Sequence, residues 1–408
     1  MTPSVKLKPY ITQVRGIAYK PDEIADTPFE NSVPLLKANN ITDDGLDSSS
    51  LIYIAADKIK SEQFIRAGDL LLAASSGSKK AIGKNAHFPE SFSGSFGAFC
   101  KVVRPKNGLH SDYLKHFFKT RYYRSSIEKA VQGANINNLR NEHLDDLEIS
   151  LPPLNDQIRI AHLLGKVEGL IVQRKQHLQH LDDLLKSVFL EMFGDPARNE
   201  KGWPINPLVI YMSEQPNNGL YKPQSSYGSG MKIIRIDSFY DGIVQNIEEL
   251  KRVEVTDAEL LKFEIRPFDV LVNRVNSIEY LGKIGVVPAI AEPMVYESNM
   301  MRFRLNHEAM LPVFLMYFWR TPYLKSQINS KAKKAVNQAS VNQQDVTGLL
   351  VPQPPIDLQK QFSTIVEKVE TLKSRYQQSL ADLEALYGAL SQRAFRGELD
   401  LSRVPMSL

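Results

Sequence analysis

The chain has 408 residues, 43% of them hydrophobic and 24% charged, with a formal net charge of +4. That is ordinary globular material, long enough for two or three cored domains, and its mild basicity permits an anionic partner without demanding one. Its single cysteine, Cys100, excludes a disulfide framework and a cysteine metal cluster. The start, MTPSVKLKPY, lacks a signal peptide's apolar core, and no stretch approaches membrane-spanning length, so a soluble cytoplasmic protein is expected.

Residues 1–152 read as a first globular domain. GIAYKP (Gly16–Pro21) forms a turn, VPLLKANNI (Val33–Ile41) is strand-like, and FIRAGDLLLA (Phe64–Ala73) ends in a strand followed by a polar loop and a glycine. FKTRYYRSSI (Phe118–Ile127) comes next, and then LPPLNDQIRIAHLLGKVEGL (Leu151–Leu170) opens a long amphipathic run. Its apolar positions alternate by fours and threes: Ile160, Leu164, Val167, Ile171, then basic Arg174, then Leu178, Leu181, Leu185, Val188 and Met192. This is the 3.5-residue period of a coiled-coil seam. Leu163, Leu170 and Leu184 add a second row, expected to widen the apolar face. Pro153 breaks the preceding extended segment, Asn155 is the expected N-cap, and Phe193-Gly194 closes the helix. The run is about 37 residues, roughly 55 Å at ~1.5 Å per residue, and falls within a spacer assigned to residues 153–195.

The second half, 202 residues downstream, repeats this plan. GLYKP (Gly219–Pro223) answers GIAYKP, MKIIRIDSF (Met231–Phe239) answers VPLLKANNI, EIRPFDVLVN (Glu264–Asn273) answers FIRAGDLLLA, and WRTPYLKSQI (Trp319–Ile328) answers FKTRYYRSSI. QPPIDLQKQFSTIVEKVETL (Gln353–Leu372) then reopens the helix, with Pro355 and Asp357 in place of Pro153 and Asn155. Its seam runs Phe362, Val366, Val369, then Lys373, then Tyr376, Leu380, Leu383, Tyr387, Leu390 and Ala394, with Ile365, Leu372 and Leu386 as the second row. Lys373 is expected to snorkel from the seam. Residues 196–353 thus form a second domain, and 354–408 a second spacer helix with a tail. The expected class is α+β: two similar globular domains separated by two long antiparallel coiled-coil helices, related by a pseudo-twofold repeat. Two similar heads on a rigid ruler suit a long, charged, locally twofold target, and duplex DNA is one.

Affinity for DNA comes largely from phosphate neutralisation, and specificity from side chains at base edges. Candidate phosphate contacts recur in both domains. Lys20 and Lys222 lie in the Tyr-Lys-Pro turns, and Lys79, Lys80 and Lys84 in the glycine-serine loop. Lys119, Arg121 and Arg124 form a group mirrored by Arg320 and Lys325, with Lys331, Lys333 and Lys334 beyond. Candidate base readers are Ser75, Ser76 and Ser78 in the first domain and Asn273, Arg274 and Asn276 in the second. They stand in equivalent loops where arginine suits guanine and asparagine suits adenine. Tyr19 and Tyr221 serve equally as turn-packing aromatics.

Catalytic chemistry is not recognisable. LPPL and QPPI lack the polar residue before and the aromatic after the proline pair that would grip a flipped adenine. GSKKAIGKN (Gly77–Asn85) has five residues between its glycines where a phosphate-binding loop needs four, and an asparagine where serine or threonine would bind magnesium. His177 and His180, three apart, have no carboxylate or cysteine completing a metal set and read as a solvated or partner-facing helix edge.

The junctions LPPLNDQIRIA (Leu151–Ala161) and PPIDLQKQF (Pro354–Phe362), the boundary MFGDPARNEKGWP (Met192–Pro204) and the closing AFRGEL (Ala394–Leu399) carry a resemblance. In this order and spacing, the chain resembles the specificity subunits of type I restriction-modification systems over essentially its whole length. The resemblance implies two target-recognition domains, each reading half of a bipartite double-stranded DNA site across an unspecified gap set by the paired helices. It implies docking of two modification subunits that carry S-adenosylmethionine and N6-adenine methyltransferase chemistry, with restriction subunits (nuclease and translocase) joining that core. The chain itself would bind no cofactor and catalyse nothing. The alternatives are a coiled-coil protein-interaction scaffold without DNA specificity, and a single-chain methyltransferase or nuclease.

Overall fold

In the computed structural model of the chain, residues 4–43, 45–132, 138–240, 242–336, 338–402 and 404 are described. Two compact units emerge, one from residues 1–176 with 377–408 and the other from 177–376. The division cuts through both long helices, Leu154–Phe193 and Ile356–Phe395, each of 40 residues. The physical reason is that each helix buries its ends in globular cores.

The fold of each unit is mixed. In the first, a sheet runs Ile11–Arg15, Cys100–Pro105, Leu70–Ala73, Asn85–His87, antiparallel throughout. A second sheet runs Ser95–Phe96, Ser32–Leu36, Ile52–Ala55, Ile24–Ala25. In the other unit the matching order is Met212–Asn218, Met300–Leu305, Val270–Asn273, Ile284–Val286, extended by Gly242–Ile243. The strands Leu70–Ala73 and Val270–Asn273 are buried at every position, which explains their unbroken apolar runs. Just ahead of each, a buried aspartate receives an arginine from the neighbouring strand. Arg104 reaches Asp69 at 2.7 Å through two nitrogens, and Arg304 reaches Asp269 at 2.6 and 3.3 Å. The same aspartates accept the backbone N–H of Arg66 and of Arg266, both at 2.8 Å. The repeated Ile-Arg-x-x-Asp is therefore a turn stapled to the sheet.

The seam positions behave as the heptad requires. In the first unit Ile160, Ala161 and Leu164 join the core together with Ala394 from the far end of the second helix, and Tyr387 and Leu390 pack against it. In the second unit Leu185 shares a core with Phe362, Val366 and Val369, but the fully buried residues beyond it are Phe189 and Phe193, one position after the expected Val188 and Met192, which only pack against the core's edge. Phe362 stands 5.5 Å from Phe189 and 5.4 Å from Phe193, ring to ring. Within each unit the start of one helix meets the end of the other, so the segments run antiparallel. Lys373 leaves the seam for Asp182 at 2.8 Å and Glu370 at 3.0 Å. The His177 ring lies against Tyr376, 5.7 Å between centroids, rather than in solvent alone.

Two expectations are corrected. The second apolar row widens the buried face only in part: Leu163 is half-buried and Ile365 packs against the core, but Leu170, Leu184, Leu372 and Leu386 are exposed, because a pair of helices covers a single stripe. Asn155 and Asp357 are not N-caps. The helices begin at Leu154 and Ile356, so the cap position falls two residues earlier, on Pro153 and Pro355, whose carbonyls are the first acceptors. The fastening of the junction instead falls to Gln157 and Gln359, buried to 1% and 0% exposure. Gln157 Nε2 donates to the carbonyls of Pro152 and Gly108 at 2.9 Å, and its Oε1 accepts from His110 N at 2.8 Å. Gln359 makes the same three contacts, to Pro354 (2.9 Å), Ala309 (3.3 Å) and Leu311 N (2.8 Å). One amide ties each helix start to the loop leading into a short helix, Ser111–Phe117 in the first unit and Pro312–Trp319 in the second.

Gln359→Leu keeps the volume but strands buried polar partners, so unfolding in denaturant should shift by about 1–3 kcal/mol; an unchanged midpoint would mean the amide is dispensable. A second prediction concerns His116. Its ring is buried and its Nδ1 lies 2.8 Å from the Tyr387 hydroxyl. Burial, then Lys115, depress its pKa to about 4, with Glu168 and Asp112 opposing and Lys119 assisting. A histidine held neutral in the fold but titrating near 6.5 when unfolded takes up protons preferentially in the unfolded state. Stability therefore falls as pH drops from 6.5 toward 4. Between pH 7 and pH 5 the loss from this group is on the order of 2 kcal/mol. His116→Asn should make the pH dependence of unfolding shallower, and an equally steep profile would contradict the assignment.

Candidate nucleic-acid interface

In each unit four segments distant in sequence are drawn together by main-chain hydrogen bonds. In the first, Gly16 N and Ile17 N donate to Cys100 O and Phe96 O at 3.3 and 2.8 Å. Ala74 N and Ser75 N donate to Phe99 O at 2.8 and 3.0 Å, and Leu139 N to Ala74 O at 2.7 Å. In the second, Gly219 N and Leu220 N donate to Met300 O and Tyr296 O at 3.0 and 2.8 Å. Arg274 N and Val275 N donate to Asn299 O at 2.9 and 3.3 Å, and Val341 N to Arg274 O at 3.0 Å. Parallel bridges Ile17 to Gly97 and Leu220 to Glu297 complete the match.

The leading glycines of GIAYKP and GLYKP make this convergence sterically possible. A Cβ on Gly16 would lie 2.1 Å from the Gly97 oxygen, and one on Gly219 2.2 Å from the Glu297 oxygen. The glycines after the polar loops have a different role. Gly83 and Gly282 take positive φ, 78° and 70°, and a Cβ would collide with Ile127 or Ile328 at 2.8 Å. These fix how each polar loop returns against the helices Arg121–Gln132 and Pro322–Lys331.

The hub gathers several of the candidate residues. Ser75 and Ser76 are half-buried and Ser78 is exposed at its rim. Arg274 is half-buried and donates through Nη1 to Ser298 O at 3.0 Å. Asn276 sits in a short strand that pairs with Gln338–Ser340, which pairs in turn with Lys333–Ala335. This three-stranded sheet joins the strand carrying Lys333 and Lys334, both exposed, to the loop of the candidate base readers. Asn273 requires a correction: it lies in the core strand Val270–Asn273 at 0% exposure, so its amide cannot meet a base edge. The strand is covered on both faces, so alternation leaves it no exposed side.

The basic candidates divide by what they touch. Lys20, Lys79, Lys80 and Arg121 are exposed. Arg320 is exposed with its guanidinium 5.3 Å from the Tyr317 ring centroid, and Lys325 reaches Glu279 O at 3.4 Å. Lys331 is half-buried. Lys84 pairs with Asp43 and Lys222 with Glu259, each at 2.8 Å. Lys119 and Lys115 both grip Glu168 on the first long helix. Burial raises the Glu168 pKa, but the two lysines overcome it and hold the carboxyl down to about 2. Arg124 clamps the polar loop from below, donating to Ile82 O at 2.7 Å and Lys80 O at 2.9 Å. For these four, Lys84, Lys119, Arg124 and Lys222, the charge already has an internal partner. Tyr19 packs over Gly97, whereas Tyr221 is 78% exposed, so the two tyrosines differ in role.

The exposed residue of the turn Gly97–Cys100 and its counterpart in 297–300 escaped the sequence reading. The two turns share only the aromatic that precedes them, Phe96 or Tyr296, and an apolar residue at the end, too little for a repeat to be seen.

Among known proteins, the family model of the type I restriction modification DNA specificity domain matches residues 19–180. The specificity subunit of the type I restriction enzyme EcoKI of Escherichia coli is 29% identical over 405 residues, covering 95% of this chain and 87% of that one. The StySPI specificity subunit of Salmonella potsdam is 28% identical over 404 residues, with the same coverage. Among solved structures, the S subunit of a type I restriction-modification system from M. genitalium has a TM-score of 0.58 at 13% identity, with 96% of each chain covered. A chain from a study of assembly and conformational transition in a type I system has a TM-score of 0.55 at 19% identity, covering 98% of this chain and 100% of that one. These two likenesses concern the fold.

Gly219→Ala forces a methyl into a main-chain oxygen and should lower the thermal midpoint markedly, on the order of 1–3 kcal/mol. Gly242→Ala, where a Cβ meets nothing within 4 Å, is the control. Equal midpoints for the two would show that the close approach is not needed.

Proposed function

We infer that this chain, which belongs to the family of type I restriction-modification specificity subunits, is the DNA-sequence-recognition subunit of such a complex. It reads a bipartite site with two recognition domains and docks modification subunits beside them. The reading is carried by one observation: both globular parts build the same four-segment hub with matching main-chain hydrogen bonds, yet display different side chains on it. Equal scaffolds with unequal surfaces are what two readers of two different half-sites require.

In this proposal the domains are residues 1–152 and 196–353, and the long helices within 153–195 and 354–408 set the unspecified gap. Lys20, Lys79, Lys80, Arg121, Lys333 and Lys334 neutralise phosphates, while Ser75, Ser76, Ser78, Arg274 and Asn276 face base edges. Two modification subunits supply S-adenosylmethionine and methyl transfer to N6 of adenine, one per strand, and restriction subunits complete the nuclease. The chain contributes recognition and no catalysis of its own. Among the described residues no helix is long and apolar enough to cross a membrane, and the cytoplasm is the proposed compartment, where the DNA is.

The test is titration of the chain, assembled with its modification subunit, against duplexes at several salt concentrations. Binding should fall linearly in log–log with salt, and scrambling either half-site should weaken it by about a hundredfold or more. Affinity indifferent to both half-sites, with a flat salt response, would instead identify a protein scaffold.

A further inference from the structure

The two hubs are alike in backbone and differ at their tips. In each, a tight turn closes on a hydrogen bond, Cys100 N to Gly97 O at 2.8 Å and Met300 N to Glu297 O at 3.1 Å. The last residue before the closing position is Phe99 in one domain and Asn299 in the other. Both are exposed, Phe99 to 65%, while the residues after them, Cys100 and Met300, are buried at 1% and 0%. The carbonyl of each tip residue accepts two N–H groups from the polar loop, those of Ala74 and Ser75 or of Arg274 and Val275. The backbone is thus fixed from within and the side chain presented outward.

We propose that Phe99 and Asn299 are specificity-determining residues, each reading one half-site from an equivalent position. This deepens the DNA-reading proposal and rests on it. Phenylalanine carries no charge for a phosphate. Its flat apolar face suits a thymine methyl group or a wedge at a base step. Asparagine at the matching place offers one donor and one acceptor to the major-groove edge of adenine. Nucleic acid is favoured over a protein partner by the surroundings. The loop pinned to Phe99 runs on to exposed Lys79 and Lys80, and the loop pinned to Asn299 pairs, through Gln338–Ser340, with the strand carrying exposed Lys333 and Lys334.

The experiment uses the complex of the full chain with its modification subunit and selects bound sequences from a randomised duplex pool. Wild type, Phe99→Ala, Asn299→Ala and the exchanges Phe99→Asn and Asn299→Phe are compared, with thermal unfolding as a folding control. Each alanine variant should unfold like wild type. It should lose about five- to a hundredfold discrimination at one or two positions of one half-site, leaving the other half-site unchanged. The exchanges should alter the preferred base at those positions. Unaltered selection by both alanine variants, beside a wild type that selects a bipartite site, overturns this assignment and leaves the DNA-reading proposal standing. Impaired assembly with the modification subunit at unchanged base preference also overturns it, making the turn a protein contact. A wild type that selects no site overturns both.

Discussion

Each helix of 40 residues carries a seam of apolar side chains that must be covered along its length, and covering the ends is what couples the helices to the readers. A lone helix has no reason to hold a straight 3.5-residue stripe. Here the stripe ends inside a core at both extremities. In the first unit Ile160 and Leu164 meet Ala394, and Phe395 lies 4.8 Å from Tyr113 and 5.5 Å from Phe117. In the second, Phe189, Phe193 and Phe362 pack with Phe314 and Tyr317. Because each core takes side chains from both helices, neither unit can be cut at a helix end without opening its interior. Gln157 and Gln359 sharpen the constraint, fixing the direction in which each helix leaves its loop.

The duplication separates what must stay from what must vary. Main-chain hydrogen bonds, close-approach glycines and the buried Asp–Arg staples recur at nearly the same geometry in both units. None of these depends on which side chain is displayed outward. A reader built this way can change its exposed residues without disturbing its fold, since surface substitutions away from such features have little effect on stability. The burial sequence around the two turns is the same residue for residue in 91–100 and 291–300, while Phe99 and Asn299 differ in every chemical respect.

The long helices, their seam and the repeat were legible because a 3.5-residue period and two proline junctions are local signals. The α+β class followed from globular stretches that mix strand-like runs with short helical ones. The cap assignments failed by two residues, since the sequence offers Asn155 and Asp357 as cap formers while the caps fall on Pro153 and Pro355 and a buried glutamine fastens each helix start to another loop. Nothing in a glutamine's neighbours announces that role. Asn273 was misread for the complementary reason: it closes an apolar strand, and polarity suggested a loop where the sheet continued. The second leucine row showed apolar periodicity but not which partner would cover it. The hub itself arises from four segments scattered over more than a hundred residues, beyond the reach of any local pattern.

A net charge of +4 does not fix where the free cations lie, and the candidate phosphate contacts are unevenly engaged within the chain. Several candidate cations are consumed internally: Lys84 by Asp43, Lys119 by Glu168 and Lys222 by Glu259. These pairs hold loops and helices in place, and their fields cancel at short range. By contrast, the stretch 309–344 contains Arg320, Lys325, Lys331, Lys333 and Lys334 and no aspartate or glutamate. At ~0.1 M salt, charges more than about 10 Å away are largely screened. A duplex approaching this stretch is therefore sensed mainly by the exposed cations Arg320, Lys325, Lys333 and Lys334 and by the acidic residues nearest them, such as Glu279 beside Lys325.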